Sequence, residues 1–149
     1  MITMLLLVIA GMIIAAVVGT VWYSNATPMG KIHMAYLGFD KLSKEEAEKR
    51  MKEAKPMMAK MYAAQMTLSF LTSVSVVFTV SESIWNGVPF SISILFPIFN
   101  WLCFMVPIIG SSILWSNCDR RIAWKKFFSD IFANLLIVIL IAILAGLFA

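Results

Sequence analysis

The sequence predicts an all-α, polytopic integral membrane protein: a bundle of four transmembrane helices with a short cytoplasmic helix between the first and second. Three observations carry that reading. Of 149 residues, 61% are hydrophobic and only 13% charged, where a soluble domain is nearer half apolar and a quarter charged. Mean hydropathy is +0.89, and the apolar surplus falls in blocks of membrane-spanning length, approximately 2–23, 58–84, 89–115 and 127–149. Most charges lie between those blocks. No Gly/Ser-rich or Pro-rich linker divides the chain, so 1–149 reads as one domain.

The first block, Ile2 to Tyr23, carries no charge. At ~1.5 Å per residue it spans about 30 Å of hydrocarbon. A signal peptide would need a positive charge ahead of the apolar core and a small-residue cleavage site after it. Neither is present, and Trp22-Tyr23 reads as an interfacial anchor. Gly11, Ala15 and Gly19 recur every four residues and form a face on which another helix can approach closely.

From Ser24 to Lys55 the chain is polar. Ser43-Lys44-Glu45-Glu46 is a capping box, and a helix is expected over approximately 43–55, supported by Glu45 with Lys49, Glu46 with Arg50 and Glu48 with Lys52. Pro56 predicts its end or a kink. His33, the only histidine, reads as a loop residue at the interface.

The second block is the one around which the rest is organised. Gln65, Ser69, Thr72, Thr79 and Ser83, with Val76 in the open slot, fall at helical spacing along one face. A polar stripe in hydrocarbon calls for cover by other helices or by a hydrated cavity, so these side chains are expected to face inward. Asn86-Gly87 followed by Val88-Pro89 marks a tight turn. The third block is interrupted by Pro97 and Pro107, which free the carbonyls of Ser93 and Cys103, and it carries Asn100 near its middle. The fourth begins beside a basic loop, with Asp130 one turn from Lys126 and Asn134 one turn deeper.

All 12 Lys and Arg lie between Lys31 and Lys60 or between Arg120 and Lys126; the turn between spans two and three and both terminal segments have none. The positive-inside rule then puts both basic loops in the cytoplasm and both termini outside the cell (inner) membrane. The net charge of +4 therefore reads as topology, and no nucleic-acid partner is expected.

Val21-Trp22-Tyr23-Ser24, Met29-Gly30-Lys31 and Ala35-Tyr36-Leu37-Gly38, together with the third span and the Gly/Ala-rich end of the fourth, carry a resemblance over most of the chain. The chain resembles domain-of-unknown-function family seventeen-sixty-one, small four-helix bacterial membrane proteins. The resemblance implies an architecture and a bacterial membrane location, and it implies no activity. The charged stretch Lys44 to Lys55 departs from its pattern.

Chemistry is sparse. Cys103 and Cys118 are 15 residues apart, about 22 Å along a helix, too far for a disulfide. No metal-ligand spacing, phosphate loop or nucleophile elbow appears, so no catalytic residue, metal or cofactor is expected. The polar groups inside the blocks remain: Gln65, Ser69, Thr72, Thr79, Asn100, Asp130 and Asn134, with Glu82 at a hydrated helix end. Two roles fit them. In one the chain is a structural or interaction module, a homodimer or higher homo-oligomer in contact through Gly11, Ala15 and Gly19. In the other, several copies turn the stripe toward a path for an ion or small solute.

Overall fold

The computed structural model describes residues 2–148, in which helices and turns account for the chain and no strand occurs. Met1 and Ala149, the last residue read into the fourth span, lie outside the described residues. Five helices follow one another: α1 (Ile2–Trp22), α2 (Pro28–Tyr36), α3 (Lys44–Trp85), α4 (Phe90–Leu114) and α5 (Arg120–Phe148). All but α2 are long and apolar enough to cross a membrane. The helix α2, and the single turn of 3₁₀ helix at Phe39–Lys41 after it, were not expected from the sequence.

Local chemistry sets the ends of each helix. Thr27 caps α2: its hydroxyl accepts from Gly30 N–H at 2.9 Å, and Pro28 stands in the first turn, where its missing N–H is not needed. Ser43 begins α3 through the predicted capping box, Glu46 N–H donating to its hydroxyl and Glu46 Oε2 accepting from Ser43 N–H at 2.9 Å. These bonds to Ser43, backbone first and hydroxyl second, hold the Glu46 carboxyl below its ordinary range. The segments read separately as a polar helix and a second span are one helix of 42 residues. Pro56 does not end it, because Lys52, whose carbonyl loses its partner, is exposed and that carbonyl can be solvated. At the far end Gly87, with φ +82°, makes the predicted turn.

The two interior prolines shape α4. It runs as Phe90–Ser93 and Leu95–Asn100, widens into a π-helical turn over Trp101–Met105, and ends as Val106–Leu114. Pro97 removes the donor for the carbonyl of Ser93, where the first break falls, and Pro107 does the same for Cys103 inside the π turn.

Helix α5 is the hub, packing on α1, α2, α3 and α4, while α1 also packs along α3. The apolar core lies toward the chain termini and joins Leu7 and Val8 of α1, Val76, Val77 and Val80 of α3, and Val138, Ile141, Ala142 and Ala145 of α5. Small residues let these helices close. A Cβ added at Gly11 would stand 2.8 Å from Ser73 Oγ and 3.3 Å from Ile141 Cγ2, and Ala15 is buried too. Gly19, by contrast, has nothing within 4 Å of that position. The small face, which could join two copies or pack within one, is used inside the chain at Gly11, where α3 and α5 close on it.

This asymmetry is testable. Gly11→Leu overpacks the α1–α3 contact and should cost about 1–3 kcal/mol in reversible unfolding, whereas Gly19→Leu should stay within about 0.5 kcal/mol. Equal losses would show that the face is not spent as described.

Candidate functional site

At the end of the bundle opposite the core, three helices meet through side chains. Trp22 and Tyr23, at and just past the end of α1, face Ser129 and Asp130 of α5. Trp22 Nε1–H donates to Ser129 Oγ at 3.0 Å, and the Tyr23 hydroxyl donates to Asp130 Oδ1 at 2.6 Å. The ammonium group of Lys126, one turn before Asp130, pairs with both oxygens of that carboxylate. The same ammonium lies 5.0 Å from the Tyr23 ring centroid and 5.7 Å from that of Tyr36. Two tyrosine faces and a carboxylate thus enclose one cation, whose side chain is 9% exposed.

The turn between α1 and α2 is shaped to fit. The Thr27 hydroxyl reaches the carbonyls of Trp22 (2.7 Å) and Ser24 (2.9 Å) while it caps α2. Gly30 lies so close to this turn that a Cβ would fall 1.9 Å from the Ser24 carbonyl oxygen. Any other residue there would push α2, and with it Tyr36 and His33, off the site. His33 is on this helix, not in a loop; its ring is 5.1 Å from that of Tyr23. Its Nδ1 is buried with no hydrogen-bond partner among the described residues. Burial, and then the Lys126 charge, hold the imidazole below its usual pKa, with Asp130 pulling the other way.

Of the residues singled out in the sequence, Asp130 is at this corner and makes a contact between helices. Asn134 is on the same face but donates to the carbonyl of Asp130 in its own helix at 2.8 Å. The predicted inward stripe of α3 is divided. Ser69 and Val76 are buried, Thr72 and Thr79 are half-buried, and Gln65 is exposed. Thr72 donates to its own helix at Leu68 (3.0 Å), and Ser83 to Thr79 (2.7 Å). Asn100 is exposed as well. Among the described residues no side-chain hydrogen bond joins the stripe to Asn100 or Asn134. The face of α3 turned inward is Ser69, Ser73, Val76, Val77, Val80 and Ser81, rotated from the predicted one. Small hydroxyl residues suit it because α1 comes within reach of Ser73 at Gly11. Cys103 and Cys118 are both free thiols.

The family model described as "Protein of unknown function (DUF1761)" matches residues 6–146. The chain belongs to this family. No curated protein and no solved structure matches it. The segments that carry the family resemblance supply Trp22, Tyr23, Gly30 and Tyr36, so they build this corner together with Lys126, Ser129 and Asp130. Sequence reasoning missed their meeting. The available signal was the ends of two apolar blocks at one level, which puts Trp22-Tyr23 beside Ser129-Asp130.

The His33 surroundings predict a pH response. Because its folded pKa lies below the unfolded value of about 6.5, the unfolded chain takes up the proton first as pH falls. The neutral imidazole's contribution is complete above that value and is lost as pH drops through the folded pKa. Unfolding between about pH 7.5 and 5.5 should therefore show wild type losing more stability than His33→Gln, in a window above the titration of Glu46. Parallel curves for the two proteins would contradict the neutral, buried state of His33.

Proposed function

We propose that the chain is a structural and interaction module of the cell (inner) membrane that assembles with copies of itself along the outward face of α3. One observation carries the reading. Gln65, Leu68, Thr72, Ser75, Thr79 and Glu82 recur at steps of three and four, and none of the six is buried. That is the spacing of a helix-crossing seam, and it is the outer border of α3, not the side packed on α1 and α5. In hydrocarbon an unpartnered Gln65 costs on the order of 1–3 kcal/mol, so the seam calls for cover.

A second copy supplies it. Copies inserted in one membrane share a direction, so two α3 helices run parallel about a twofold axis along the membrane normal, and each seam residue meets its own counterpart. Glutamine carries both donor and acceptor and can pair with itself; bonds of this kind between membrane helices contribute about 0.6–2 kcal/mol. Orientation follows from charge. With all 12 basic residues in two stretches, Lys31 to Lys60 and Arg120 to Lys126, we place those stretches on the cytoplasmic side and both termini outside.

A groove of about 460 Å³ that takes in part of the seam, lined by Thr72 and Ser75 and by Asn100 and Trp101 of α4 beside the π turn, supports a second reading. In it, more than two copies enclose a path for an ion or small solute. The variant Gln65→Leu separates the two. If the seam joins copies, dimerisation in lipid should weaken about 3- to 30-fold, with no change in proteoliposome leak. If it lines a path, flux should be abolished while assembly persists. A wild-type monomer in lipid at all protein densities would refute both.

For the orientation, in a background lacking Cys103 and Cys118, Asn86→Cys should label from outside in intact cells and Lys49→Cys only after permeabilisation. Labelling of Lys49→Cys in intact cells would reverse the assignment.

A further inference from the structure

At the basic end of the bundle, a cavity of about 500 Å³ opens between the end of α2, the start of α3 and the loop joining α4 to α5. Tyr36, Lys41, Arg50, Ser116, Asn117 and Asp119 are among its walls. Its charges are not balanced within the fold. Among the described residues the one ion pair is Lys126–Asp130, so neither Lys41 nor Arg50 has a carboxylate partner. The Arg50 guanidinium is instead held over the Phe39 ring, 5.4 Å from its centroid. Asp119 does not answer them: its Oδ1 accepts the N–H groups of Arg121 (2.9 Å) and Ile122 (3.3 Å) and is committed to the start of α5. Arg120 is likewise engaged, donating to the carbonyl of Leu114 at 3.2 Å. Two free cations, with amide and hydroxyl groups beside them, are left facing one cavity.

Its depth indicates the ligand. Ser116 is two residues past Leu114, where α4 ends, and Asp119 and Ile122 are a turn or two before Phe127, where the apolar run of α5 begins. At ~1.5 Å per residue the cavity walls lie about 3–12 Å beyond the apolar layer, a range that takes in the phospholipid headgroups. Apolar groups adjoin it: Leu37 lines it and is exposed, and Trp115, outside the lining but next to Ser116, is 86% exposed. An anion with a hydrocarbon tail matches both walls.

We propose that this cavity binds the phosphate-bearing headgroup of an anionic phospholipid, with Lys41 and Arg50 contacting the phosphate. The site is separate from the seam of α3 and does not depend on assembly. It can be tested on delipidated full-length protein by native mass spectrometry, titrating phosphatidylglycerol and, separately, phosphatidylcholine with the same acyl chains. Phosphatidylglycerol should bind more tightly. Lys41→Gln and Arg50→Gln should each weaken it about fivefold and the pair about 25-fold, while the control pair Lys49→Gln and Lys52→Gln, with the same change in charge outside the cavity, should alter it less than twofold. Equal affinity for the two lipids, or an equal loss in the control, would overturn the proposal. Inorganic phosphate at millimolar concentration should leave the lipid bound; displacement would reassign the cavity to a soluble phosphate and overturn the lipid source.

Discussion

A carboxylate and an ammonium group at the border of an apolar layer are stable there only with partners, and the basic end of this protein is arranged around that requirement. Asp130 accepts from Tyr23 and pairs with Lys126; Lys126 in turn lies against the faces of Tyr23 and Tyr36. The groups come from α5, from the end of α1, and from a short helix whose placement needs Gly30. Satisfying one buried charge therefore fixes three segments of chain relative to one another. An isolated buried pair adds little net stability, but its loss on one side is costly, which makes it a device for fixing geometry.

The other end is held by a different force. There α1, α3 and α5 meet through Leu, Val, Ile and Ala side chains, with the backbone of Gly11 against Ser73 and that of Gly146 against the Phe90 ring of α4. In a bilayer, apolar contact between helices gains nothing from expelling water, so close backbone approach and dispersion decide which faces pair. Gly11 and Ala15 of α1 are taken up within the chain, and under the proposed assembly the outward seam of α3, with Gln65 exposed, is the polar surface left to be covered.

What the sequence made legible follows from what water and lipid discriminate. The four apolar spans were readable because length and hydropathy are what hydrocarbon selects, and the Lys126–Asp130 pair because its groups are neighbours on one helix. The capping box at Ser43 was readable from four consecutive residues. The inward face of α3 was not, since both borders carry hydroxyl residues and lipid is as apolar as the core; polarity alone cannot orient such a helix. Ser73 and Ser81 are inside and Ser75 is outside, one residue type serving opposite surroundings. The helix α2 is not legible although Thr27-Pro28 is a start signal, because its nine residues are too few to display a helical period. His33, expected in a loop, belongs to that helix. Contacts 107 residues apart, such as Tyr23 with Asp130, leave no local pattern.

The claim that Lys126 and Asp130 hold this corner by mutual compensation is tested most directly by reversible unfolding of Lys126→Met, Asp130→Leu and the double variant. Each single change should cost about 3–5 kcal/mol, since it leaves an uncompensated buried charge, and the double variant should recover most of that loss. Additive losses, or single variants within about 0.5 kcal/mol of wild type, would contradict the account.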